Sequence, residues 1–126
     1  MARIWLVDDD RNLADLTKVA LVKNGYEVVI FHEARKAINE AKKTIPDLIL
    51  MDIMMPQISG AEAVKELKRD PSLKNVPIIF LTALISCEEE DLEKSGITID
   101  GISYKTLGKP YEIESLLKIV GNTIGR

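Results

Sequence analysis

One cysteine in 126 residues, Cys87, excludes an internal disulfide, and no ligand-like spacing surrounds it. It reads as an ordinary small side chain in a reducing compartment. No apolar run approaches the roughly 18 residues that a membrane span requires. The apolar start at residues 4–7 is cut off by Asp8, Asp9 and Asp10, so no secretory pattern opens the chain, and a cytoplasmic location without membrane insertion is expected. Strong charge of one sign is missing as well. The formal net charge is -3 and the basic residues are scattered, which argues against direct contact with nucleic acid, where a clustered basic face is needed. There is no internal repeat, low-complexity tract or linker, so residues 1–126 are expected to form a single domain.

What the chain does contain is a set of short runs that are apolar at consecutive positions: IWLV (4–7), VVIF (28–31), LILM (48–51) and PIIFL (77–81). Consecutive apolar residues fit strands covered on both faces, as in a parallel sheet. Between them lie segments of helical periodicity, carried by Leu13, Leu16 and Ala20, by Ala61, Val64 and Leu67, and by Ile113, Leu116, Leu117, Val120 and Ile124. Asn24-Gly25 and Ser95-Gly96 read as helix stops, because glycine tolerates left-handed backbone. Asp100-Gly101 reads as a turn. A fifth strand, poorer in aliphatics, is expected near residues 102–106. Five alternating units predict a doubly wound α/β domain around one core.

Open α/β sheets bind ligands at the carboxyl ends of their strands. Asp8, Asp9 and Asp10 follow the first strand, Asp52 ends the third, Thr82 follows the fourth and Lys109 the fifth. Asp10 reads as the cap of the following helix. The others share a rim. Two carboxylates about 4 Å apart repel by roughly 4 kcal/mol at an effective dielectric of about 20, against a total domain stability of about 5–15 kcal/mol. Asp8, Asp9 and Asp52 must therefore hold a proton or a cation. Oxygen ligands on loops suit Mg²⁺, which often completes its shell with phosphate oxygens. Lys109 adds a fixed positive charge and Thr82 a hydroxyl donor, so the constellation suits a phosphoryl group. Asp52, flanked by apolar residues at the middle of the rim, is the candidate nucleophile for an aspartyl phosphate.

At these residues the sequence closely resembles the receiver domain of two-component response regulators, through WLVDDD, LILMDIMMPQISG, PIIFLTA and GKPYEIESLL in that order. The resemblance covers nearly the whole chain. It implies a flavodoxin-like five-stranded parallel sheet of strand order 2-1-3-4-5 with helices on both faces. It implies a phosphorylation-dependent signalling switch of a two-component system or phosphorelay, in which a histidine kinase or phosphotransfer protein supplies the phosphoryl group. By the same resemblance Asp52 is the phosphoacceptor, Asp9 the direct Mg²⁺ ligand, Asp8 a ligand through water, and the Met54 backbone carbonyl a further ligand. Thr82 is the switch hydroxyl, Lys109 the phosphate contact, and Lys109-Pro110 a peptide bond that can be cis. Met54, two residues after the phosphoacceptor, cannot hold a water by charge, which implies slow self-dephosphorylation. No output domain is expected, since residues 111–126 are needed for the last helix, and the chain would act through an unidentified downstream protein. It would be no enzyme beyond its own phosphoryl transfer and dephosphorylation.

The pattern departs from the family near the end. Receivers run from a glycine to the lysine in about seven residues and carry an aromatic three before it; here Gly96 to Lys109 spans thirteen and position 106 is threonine. Tyr104 is either a shifted aromatic switch or a half-buried strand residue, and the face formed by the fourth helix, the fifth strand and the last helix is in question. His32 reads as a solvated turn residue rather than a phosphorelay donor, and CEEEDLEK as the acidic first turn of a helix. Two other classes remain: a receiver-like protein-binding module that is not phosphorylated, and a hydrolase of the haloacid-dehalogenase type. The hydrolase expects an acid where Met54 stands.

Overall fold

The first apolar run forms β1 (Arg3–Val7) in the computed structural model, which describes residues 2–55, 57–82 and 97–125. The order continues with α1 (Arg11–Lys23), β2 (Glu27–Phe31), α2 (Ala34–Glu40), β3 (Leu48–Asp52), α3 (Gly60–Lys68), a 3-10 turn (Pro71–Leu73), β4 (Ile78–Thr82), β5 (Ile97–Ile99), β6 (Ile102–Gly108) and a C-terminal helix, α4 (Ile113–Ile124). Cys87, the acidic CEEEDLEK run and the Ser95-Gly96 stop lie outside the described residues.

Successive strand residues alternate between two layers, which explains why the strands are apolar without a gap. Ile4, Leu6, Leu48, Leu50, Ile79, Leu81 and Leu107 pack with Ala14 and Leu21 of α1 and with Leu116 and Val120 of α4. Trp5, Val7, Ile49, Met51, Ile78, Phe80 and Tyr104 pack with α2 and α3 through Ala34, Ala37, Ala63, Val64 and Leu67. The sheet thus splits the single expected core into two. Each fully buried aliphatic side chain contributes about 1.5–3 kcal/mol. β2 is covered less completely than its run suggested, because it lies at the sheet edge and leaves Val29 37% exposed.

Helix faces were only partly legible. On α1 the buried residues are Ala14, Thr17 and Leu21, while Leu16 is 66% exposed. Leu13, Leu16 and Ala20 obey the helical spacing, but small Ala14 and polar Thr17, with Leu21, are the side chains that the helix buries. Likewise Ile113 of α4 is exposed. Asp10 caps α1, its carboxylate accepting the Leu13 N–H, and Gly25 at φ 91 turns the chain out of the helix, both as expected.

Among the described residues the sheet has six strands in the order β2-β1-β3-β4-β6-β5. Five are parallel and follow the expected 2-1-3-4-5 order, with β6 as the fifth and running to Gly108 rather than 106. The sixth, β5, was not expected. It pairs antiparallel with β6 through Ile97↔Tyr104, Thr98↔Ser103 and Ile99↔Ile102. The residues added before Lys109 are therefore a hairpin built on ITI-DG-ISY. Asp100 (φ 51) and Gly101 (φ 81) both take positive φ, as a two-residue turn matched to strand twist requires. A Cβ on Gly101 would meet nothing within 4 Å, so Gly101→Ala carries only the backbone cost. Thermal or urea unfolding is expected to show a loss of about 1 kcal/mol.

Candidate functional site: an acidic rim bridged by one lysine

Because β1, β3, β4 and β6 are parallel, their carboxyl ends open on one side of the sheet. β1 delivers Asp8 and Asp9, β3 ends on Asp52, β4 on Thr82, and Lys109 follows β6. One oxygen from each of Asp8, Asp9 and Asp52 lies within 4.8 Å of the others. Asp9 is exposed, whereas Asp8 and Asp52 are buried, at 0% and 4% exposure. An open cleft of about 490 Å³ lies over them, lined by Asp9, Asp10, Leu13, Asp52, Met54, Lys109 and Pro110.

Lys109 ties the buried pair together. Its Nζ lies 2.8 Å from Asp8 Oδ2 and donates to Asp52 Oδ2 at 3.1 Å. The Lys109 N–H donates to the Thr82 carbonyl at 2.6 Å, and Lys109-Pro110 is cis. Tyr111 secures the far side of this loop, its hydroxyl 2.7 Å from Oγ1 of the buried Thr17 on α1.

Burial pushes the Asp52 carboxyl up from the usual 3.8 to about 6. The charge and hydrogen bond of Lys109 pull it back, Asp8 pushes it further up, and the Met54 N–H, donated to Asp52 Oδ1 at 3.1 Å, lowers it. Burial would lower the Lys109 ammonium, but the hydrogen bond and charge of Asp8, together with Asp52, outweigh it and hold the pKa raised. Lys109 is thus a firm cation shared by two acids.

A divalent cation suits this donor set. The carboxylates are hard oxygen ligands, and Asp8 Oδ2 is buried against the Lys109 ammonium 2.8 Å away. Asp8 Oδ1, by contrast, accepts the Asp10 N–H at 2.9 Å. Met54 brings its backbone into the same turn and leaves its side chain 62% exposed beside the cleft.

The expected residues 8, 9, 52, 54, 82 and 109 therefore meet at one rim, while Asp10 serves as a cap. Tyr104 is fully buried rather than half-buried, at 7% exposure, with its ring edge-on to Phe80 at 5.6 Å. Thr106, in the place of the family's aromatic, is buried too. His32 is not simply solvated: it is half-buried and its Nδ1 lies 2.9 Å from the Asp8 carbonyl oxygen.

Gly60 was overlooked in sequence. Ser59 caps α3 by accepting the Glu62 N–H, and Gly60 donates to the Ile53 carbonyl at 2.9 Å. A Cβ at Gly60 would collide with the Asp52 carbonyl oxygen and stand 2.9 Å from Ile53 Cα. The helix starts against the backbone of the central acid. A glycine directly after a capping serine was the available signal.

The sequence pattern of the response regulator receiver domain matches residues 4–121. The probable transcriptional regulator ycf29 of Pyropia yezoensis is 34% identical over 98% of this chain and 54% of its own length. The polar-differentiation response regulator DivK of Brucella ovis is 32% identical over 94% of this chain and 96% of its own length. The chain spans about half the length of the first curated relatives it matches, but nearly all of DivK. Among solved structures, the receiver domain of the sensor histidine kinase PA1611 from Pseudomonas aeruginosa, with magnesium coordinated in its active-site cleft, superposes with a TM-score of 0.82 at 27% identity, covering 99% of this chain and 98% of that one. No helix among the described residues is long and apolar enough to cross a membrane.

Proposed function

The chain belongs to the response regulator receiver domain family, whose work is phosphorylation-dependent two-component signalling, and from that premise we propose that Asp52 is its phosphoacceptor, served by Mg²⁺ at Asp8, Asp9, Asp52 and the Met54 carbonyl. The observation that carries this reading is the single ammonium of Lys109 shared by two buried carboxylates. An Asp52 oxygen forms the new bond to phosphorus as the bond to the donor's histidine nitrogen breaks. Mg²⁺, when bound, neutralises charge on the transferring oxygens. Lys109, held at the rim by its backbone bond to Thr82, exchanges a carboxylate partner for a phosphoryl oxygen. Thr82, at the end of β4, supplies the switch hydroxyl. Positioning and charge do the work, as phosphoryl transfer requires.

The donor is a histidine kinase or histidine phosphotransfer protein, the setting is the cytoplasm, and the catalysis is confined to the chain's own phosphorylation and dephosphorylation. The exposed thioether of Met54 beside the cleft neither activates nor orders an attacking water, so the aspartyl phosphate is long-lived. Intact mass after treatment with a small-molecule phosphodonor and Mg²⁺ tests the acceptor site and the lifetime of its phosphate. One phosphoryl group is expected on the native chain and none on Asp52→Asn, with the label persisting beyond minutes after the donor is removed. An unlabelled native chain would favour a protein-binding module, and continuous phosphate release a hydrolase.

A further inference from the structure

The half-buried imidazole of His32 is not among the residues that line the cleft, yet it holds the backbone that carries two of the three acids. β1 and β2 run parallel with Val7 opposite Phe31, and the ladder continues one step as the Asp8 N–H donates to the Phe31 carbonyl at 2.9 Å. The next rung of a parallel ladder would bring a backbone N–H from residue 33 to the Asp8 carbonyl. There the chain turns away, since Glu33 is the cap from which α2 departs. His32 Nδ1, 2.9 Å from the Asp8 carbonyl oxygen, stands in the place of that rung. The acceptor is a carbonyl, so Nδ1 carries the proton and donates.

That carbonyl belongs to the peptide unit joining Asp8 to Asp9. A peptide is planar, so pinning its oxygen fixes the direction in which the chain leaves Asp8 and enters Asp9. The Asp10 N–H, bonded to Asp8 Oδ1 at 2.9 Å, fixes the next step. We infer that His32 is a positioning residue for the cation site: its Nδ1–H sets the Asp8–Asp9 peptide so that both carboxylates face the oxygen of Asp52.

The inference rests on the Mg²⁺-dependent phosphorylation proposed above, and the test separates the two. Mg²⁺ titration and the rate of labelling by a small-molecule phosphodonor are measured on the native chain, His32→Ala, His32→Asn and His32→Gln, with thermal unfolding in EDTA as a separate axis. Groups that orient metal ligands are worth about 10–100-fold in metal affinity, so His32→Ala is expected to weaken Mg²⁺ binding by at least about tenfold. Asn presents its amide N–H where Nδ1 stands and is expected to recover most of the loss; Gln presents its donor where Nε2 stands and is not. Equal Mg²⁺ affinity in His32→Ala and the native chain overturns the inference, as does equal recovery by Asn and Gln. So does a fall in thermal stability with no change in Mg²⁺ affinity. A native chain that neither binds Mg²⁺ nor takes the label overturns the reading beneath it instead.

Discussion

Lys109→Met is expected to destabilise the Mg²⁺-free domain by about 3–5 kcal/mol at pH 8, because removing one partner of a buried ion pair leaves the other uncompensated, and here two carboxylates are left. At pH 5 the loss should shrink sharply. Asp52 has a folded pKa raised from 3.8 to about 6, so the folded state binds its proton more tightly than the unfolded chain does. Stability from that proton is present below pH 4 and is lost as pH rises through 6. Lys109 limits this loss, since its charge and hydrogen bond pull the Asp52 value down. Without it the folded value climbs and the losing window extends upward. Urea unfolding in EDTA at pH 5 and pH 8 checks the sign, and a deficit equal at both values would contradict it. Added Mg²⁺ should restore part of the stability at pH 8, while phosphodonor labelling stays abolished.

Gly60→Ala should be nearly as damaging through sterics alone. The added methyl would meet the Asp52 carbonyl oxygen and stand 3.0 Å from the Asp52 carbonyl carbon. These are main-chain atoms of a central strand and cannot rotate aside. Overpacking of this kind costs about 1–3 kcal/mol, and the upper end applies where backbone must move. Either α3 lifts off or the Asp52 peptide shifts, and misplacement of about 1 Å at a reacting group can cost about 100-fold in rate. The expected result is a loss near 3 kcal/mol in urea unfolding and a labelling rate at least tenfold lower. A variant that matches native in both would show that the helix can give way freely.

The contrast between these residues shows what the sequence could carry. Asp8, Asp9, Asp52 and Lys109 were legible because each follows an apolar run, and parallel strands deliver such positions to one edge. Strand order was legible for the five parallel strands through the family resemblance. β5 was not, because ITI is too short to stand out beside the Asp-Gly turn that was recognised. Leu16 misled because spacing says which residues share a helix face, not which face meets the sheet, and close packing selected Ala14 and Thr17. His32 and Gly60 act through main-chain atoms of other segments. Such contacts leave no pattern in residue type, only in three dimensions.

The bridge from Lys109 to Asp8 and Asp52 also bears on how the molecule assembles. Lys109 lies 57 residues from Asp52 and further still from Asp8; it follows the last strand of the sheet, while Asp8 follows the first and Asp52 ends the third. Until the last of these strands docks, a nascent chain that has already brought the first and third together keeps two acids facing one another without relief. Half-assembled sheets are penalised by their own mutual repulsion, and the ammonium that arrives last discharges it. Folding of the Mg²⁺-free chain should accordingly be more all-or-none than hydrophobic collapse by itself would make it, with few populated intermediates along the way.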